Sequence, residues 1–298
     1  MENYKTIKSH NFTHNKDIKK WLKLVISGIM AGISISIGAV AFIFMKSTSG
    51  FLNTSFTAAL LFPIGIFLTC YFGLDLYTGK IGYLIEKENL NKEYALRVLV
   101  ITLANLVGTI FFGYLMHFMF KDKLDSLYAL KAIGETRVLD SSAWSFPRVF
   151  ISSMFGCAFV HVSVELFKRI KSDFGKIVAL WLPVTAFVYF GFDHSIANMF
   201  YFAFLGDLSG MRWVYVLVNI VGNAAGGILT HLLIMFVAPR KKEEVVEPKE
   251  ELINKEELVV PEEEPISKEE VVLLEEPINK EEVVLEEPIN KEDNNHNS

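Results

Sequence analysis

The sequence predicts an all-α membrane protein: six transmembrane helices in two inverted three-helix repeats, with the second and fifth helices broken. Three observations carry that expectation. Six apolar stretches are long enough to cross a bilayer, two of them run into a Gly-x-Asp triplet, and those triplets stand 118 residues apart, at Gly73 and Gly191. A chain that is 51% hydrophobic, with 25 phenylalanines and a mean hydropathy of +0.33, is also unlike an ordinary soluble domain.

Taken in order, the first segment (21–45) follows a polar, lysine-bearing amino terminus (1–20) and is too long for a cleaved signal peptide. The second (51–70) runs into "GLDLYTGK" from Gly73. The third (98–120) and fourth (146–167) read as uninterrupted spans. The fifth (177–190) continues to residue 205 across "GFDHSIANMF", which sets an acid beside a histidine inside an apolar run; the sixth is 213–238. Backbone that leaves a helix at membrane depth is tolerated only where it is buried in protein or lines a cavity.

Charge gives the orientation. The amino terminus, the links between segments two and three and between four and five, and the residues after segment six carry 17 lysines and arginines, against 7 on the opposite side. Both termini are therefore expected to be cytoplasmic in a multi-pass protein of the cell membrane. Cys70 and Cys157 lie in apolar runs, which argues against a disulfide framework.

The halves repeat at an offset of 118: Gly38 matches Gly156, Gly73 matches Gly191, Asp75 matches Asp193, Asn105 matches Asn223 and Gly108 matches Gly226. Three spans per half make the halves opposite in topology, and inverted repeats with broken helices place a solute pathway at their interface near the midplane. The channel domain is expected over 21–238. Residues 239–298 form a separate tail. From Glu243 onward it holds 20 acids and 5 lysines, a net charge of −15, whereas the first 242 residues are net +10. Its units "EEPISKEEVVLL", "EEPINKEEVVL" and "EEPINKED" each contain a proline, so a disordered acidic repeat is expected.

His194 is the sharpest candidate for chemistry. An ionisable group at mid-membrane is costly and normally faces a cavity or a partner, and a neutral imidazole can donate one hydrogen bond or take a proton near neutral pH. Asp75 and Thr78 lie in the mirror-related break. Exposed N–H groups at the start of each half-helix add positive potential, which suits a small anion. Asp75 and Asp193 are expected to be structural, accepting loop N–H bonds.

Together "GFDHSIANMF" and "GLDLYTG" resemble the formate–nitrite transporter family of anion channels, across residues 21–238 and neither tail. The resemblance implies an aquaporin-like protomer in a homopentamer, a pore in each protomer, and substrates that are small monovalent anions of weak acids: formate, nitrite, acetate, lactate or hydrosulfide, moved with or without a proton. It implies no enzyme activity, cofactor or metal. His194 matches the central pore histidine, Thr78 the threonine that hydrogen-bonds near it, and Asn198 the asparagine four residues on. Phe62 and Phe187 fall at one hydrophobic constriction, Ile66 and Leu76 at the other; such rings exclude hydrated ions, although without the resemblance all four read as packing.

Two departures bear on the substrate. Ser141 stands where the family pattern has a lysine, and Cys157 where it has an asparagine. Arg137 or Arg148 are the candidates to restore the missing positive potential. His161 and Glu165 share one helix face; they either pair with each other between protomers, the favoured alternative, or line a modified vestibule. Three other readings compete. An intramembrane metalloenzyme using His161, Glu165, Asp193, His194 and His231 lacks the HExxH arrangement. An aquaporin-like neutral-solute channel lacks paired NPA loops, and a membrane scaffold that displays the tail would be counted out by transport that persists when the residues after Lys242 are deleted.

Overall fold

In a computed structural model, residues 2–48 and 54–239 are described, with side chains from residue 17 onward; the tail from residue 240 lies outside the described residues. The chain forms α1 (Glu2–Lys46), α2 (Thr54–Leu61), α3 (Pro63–Tyr71), α4 (Tyr77–Lys80), α5 (Lys92–Met119), α6 (Tyr128–Thr136), α7 (Ser145–Arg169), α8 (Asp173–Phe190), α9 (Ser195–Leu205) and α10 (Gly210–Val237). Short 3-10 turns occupy Ile81–Ile85 and Lys121–Ser126. Six spans are long and apolar enough to cross a membrane: Asp17–Lys46, Thr54–Tyr71, Lys92–Met119, Ser145–Arg169, Asp173–Phe190 and Gly210–Val237. Their order is the predicted one. Helix α2 passes into α3 at Phe62, where Pro63 interrupts the ladder.

Each Gly-x-Asp triplet ends a helix by the same chemistry. Gly73 (φ 64°) and Gly191 (φ 75°) are left-handed, a conformation that costs other residues about 1–2 kcal/mol. In the first break the Leu74 N–H donates to the Thr69 carbonyl (2.8 Å) and Gly73 to Cys70 (3.2 Å). In the second, Phe192 donates to Phe187 (3.1 Å) and Gly191 to Val188 (3.1 Å). These are two copies of one Schellman cap. The chain then runs extended through Leu76 and His194 before α4 and α9 begin.

A buried asparagine clamps each break. Asn105 Oδ1 accepts from the Tyr77 N–H (2.8 Å), while its Nδ2 donates to the carbonyls of Asp75 (2.9 Å) and Gly28 (2.8 Å). Asn223 repeats this with the Ser195 N–H (2.9 Å), Asp193 (3.3 Å) and Ser153 (2.7 Å). Ser27 and Ser152 hydroxyls accept from the N–H of Asp75 and Asp193. A Cβ on Gly108 would sit 2.2 Å from the Ile29 carbonyl oxygen, and one on Gly226 2.0 Å from that of Met154.

These contacts correct one predicted correspondence. The breaks and third helices match at 118, but Ser27/Ser152, Gly28/Ser153 and Ile29/Met154 match at 125. The seven-residue slip is about two helical turns and preserves the face. Gly38 is thus not the counterpart of Gly156. Its absent Cβ lets α1 approach the Phe62 carbonyl at the α2–α3 kink (2.2 Å from an added Cβ), whereas Gly156 lies against Asp193. Helix α6, which apolar length alone passes over, buries Ala129, Leu130, Ile133 and Gly134, and the Tyr128 hydroxyl donates to the Lys46 carbonyl.

Candidate functional site

The two breaks meet side chain to side chain. Thr78 Oγ1, on α4, lies 2.9 Å from His194 Nε2; their exposures are 0% and 2%. His194 is also the N-cap of α9, its Nδ1 accepting from the Ala197 N–H at 3.3 Å. A backbone N–H can only donate, so a neutral ring holds its proton on Nε2, facing Thr78. The cap bond thereby selects the tautomer. Leu76, the symmetry counterpart of His194, caps α4 without a side-chain bond.

Two cavities approach this contact. One, of about 320 Å³, is lined by Phe62, Phe187, Arg137, Arg148, Lys46 and His194 among others. The second, of about 160 Å³, is lined by Ile66, Leu76, Gly79, Lys80, Val164 and Lys168 among others. Ser152 of the first set and Val164 of the second lie twelve residues apart on α7, roughly 18 Å along its axis, so the cavities open toward opposite ends of the bundle. Phe62 and Phe187 meet edge to face (centroids 5.6 Å) and Phe187 tilts over the His194 ring (6.0 Å). Ile66 and Leu76 are buried at the wall of the second cavity. The four apolar candidates therefore divide into two pairs, one at each cavity, with Thr78 and His194 between them.

The remaining candidates fall into place around that core. Asp75 takes the Ser27 hydroxyl (2.9 Å) and Lys80 (3.1 Å). Asp193 takes Asn198 (2.9 Å), Tyr215 (2.9 Å) and Arg137 (3.5 Å). The expectation of loop N–H donors is thus corrected, since among the described residues both carboxylates are held by side chains. Asn198 Nδ2 also donates to Asn219 Oδ1 (2.6 Å); its side chain braces the loop and lines neither cavity. Arg137 and Arg148 both line the larger cavity, with the Arg137 guanidinium stacked over Tyr201 (5.5 Å). Cys157 points its thiol at the Thr78 carbonyl (3.6 Å).

His161 and Glu165 both have partners within the protomer. His161 Nε2 meets His231 Nδ1 (3.0 Å), and Glu165 takes Arg169 (2.7 Å) and the Tyr83 hydroxyl (2.7 Å). The five ligands of the metalloenzyme rival are split: His161, Glu165 and His231 cluster, while Asp193 and His194 belong to the break. Sequence reasoning missed Lys46, Tyr201 and Lys168. Lys46 and Lys168 lie at helix ends, where sequence alone does not tell them from ordinary interfacial lysines, and Tyr201 sits among the phenylalanines of α9.

The formate/nitrite transporter family model matches residues 5–237. A Bacillus subtilis protein called an uncharacterized transporter, YrhG, is 30% identical over 74% of this chain and 86% of its own. The formate channel BtFdhC of Bacillus thuringiensis is 32% identical over 56% of this chain and 66% of its own. A solved structure described as a pentameric formate channel with formate bound superposes with a TM-score of 0.64 at 23% identity, over 74% of this chain and 97% of that one; that likeness establishes the fold. With a family match over most of its length and six membrane-length helices, the chain is a multi-pass membrane protein that belongs to the formate/nitrite transporter family.

Proposed function

We propose that the chain moves a small monovalent anion of a weak acid, formate in the first place, through a pore in each protomer of a homopentamer in the cell membrane, with both termini cytoplasmic. The observation that carries this reading is the Thr78–His194 contact, flanked by an apolar pair at each cavity. Formate as substrate and the pentamer are supported by what the relatives are called. Arg137, Arg148 and Lys46 supply positive potential in the larger cavity, the task left open by Ser141, and so raise the local anion concentration.

In this mechanism the anion sheds water at Phe62 and Phe187 and meets the Nε2–H of His194 and the hydroxyl of Thr78. A neutral ring has a hydrogen bond to offer and no spare proton. Passage as the neutral acid therefore requires a proton arriving with the anion, or one taken up at Nδ1 in exchange for the Ala197 bond. Ile66 and Leu76 form the second constriction, beyond which Lys80 and Lys168 line the exit. Stopped-flow flux in proteoliposomes, comparing formate, nitrite, lactate and hydrosulfide at two pH values, tests the reading. Saturable flux of at least one anion, rising on acidification, is expected. Rapid water or glycerol flux with no anion flux would overturn it.

A further inference from the structure

We infer that α7, α10 and the 3-10 turn at Ile81–Ile85 form a binding site for a divalent transition-metal ion of the zinc or cobalt type, ligated by His161, His231 and Glu165 and oriented by Glu86. This departs from the sequence-based expectation of no metal. The ligand atoms of the three residues lie within 4.8 Å of one another, and all three are buried. His161 Nε2 and His231 Nδ1 are 3.0 Å apart. Two nitrogens bound at about 2.1 Å to one ion stand roughly 3.0 Å apart at a right angle and roughly 3.4 Å at the tetrahedral angle, so the pair reaches a shared ion with little movement.

The surroundings are arranged as an outer shell. His231 Nε2 lies 3.1 Å from Glu86 Oε1. A carboxylate there holds the proton on Nε2 and turns the Nδ1 lone pair toward His161, as metal-ligating histidines are commonly held. Arg169 and Tyr83 each donate to one oxygen of Glu165 at 2.7 Å, which fixes the carboxylate beside the two imidazoles. The His161 ring is seated against Gly82, where an added Cβ would come within 2.4 Å of Cε1. His231 lines a surface depression with Glu86, Lys87 and Glu88.

Glu86 and Glu165 are offset by Lys168 and Arg169, so affinity rests on the imidazole nitrogens rather than on net charge. That donor set selects borderline transition metals over magnesium or calcium. Glu86 follows Thr78 by eight residues, so an ion whose ligand His231 is oriented by Glu86 also ties the Thr78 segment to α7 and α10.

Full-length protein without a histidine tag, stripped with chelator in detergent, is titrated with Co²⁺ and then Zn²⁺, with Mg²⁺ in excess. The expected result is one Co²⁺ per protomer with the ligand-field spectrum of a four- or five-coordinate site, displaced by Zn²⁺ and untouched by Mg²⁺. His231→Gln, at unchanged oligomer size, loses at least ten-fold in affinity. A spectrum of hydrated Co²⁺ only, or binding equal in wild type and His231→Gln, overturns the site. If His231→Gln does not fold, the wild-type spectrum decides alone. None of these readouts depends on which anion the protein carries.

Discussion

His194 and Thr78 stand out because a polar pair in each of two apolar, glycine-broken segments is costly unless it has a partner or a cavity, and the structure brings them to 2.9 Å. Thr78→Val keeps the shape and removes the hydroxyl, so anion flux in proteoliposomes should fall about ten-fold or more, whereas Thr78→Ser should retain most of it. Arg137 was legible only as a nearby charge. Its reach into the larger cavity depends on α6 and on Asp193, contacts far apart in sequence. Arg137→Gln should lower flux several-fold at low ionic strength and flatten its salt dependence, since screening acts on the potential that the guanidinium supplies. Equal salt dependence in both proteins would remove Arg137 from the account.

At the scale of elements, the helix breaks were legible because Gly-x-Asp in an apolar run has few structural meanings, and each glycine proved to be a left-handed cap. The clamps behind them were not. Asn105 and Asn223 were seen as matching positions, yet their task, tying together a loop N–H and two carbonyls from two other elements, is a tertiary fact. Matching at one fixed offset also failed for the first helix of each half, where a two-turn slip made Gly38 and Gly156 coincidental partners. Asn223→Leu strands the Ser195 N–H and the Asp193 carbonyl, at about 1–3 kcal/mol for each group left without a partner. Thermal unfolding of the solubilised protein should show a clear drop in Tm, larger than that of Asn198→Ser, which perturbs side-chain bonds alone.

At the scale of the whole molecule, apolar length and lysine distribution were enough to count the spans, because the bilayer fixes helix length. They could not place α6 or the 3-10 turns, whose short apolar faces give no bilayer-length signal. The acidic repeat differs from the channel domain in charge and composition, and we propose that it is dispensable for transport. Truncation after Lys242 should leave flux per protein within about two-fold of the full chain in the same proteoliposome assay. Loss of flux at unchanged oligomer size would make the tail part of the transporter.

We propose that a neutral histidine, fixed by its own helix cap and facing Thr78, is the group every anion must pass. The most direct measurement is formate flux across a pH series for wild type and His194→Phe, at matched protein incorporation. Wild-type flux should saturate and rise on acidification, and the variant's flux should be either abolished or no longer responsive to pH. Wild-type-like flux with the same pH dependence in His194→Phe would contradict it.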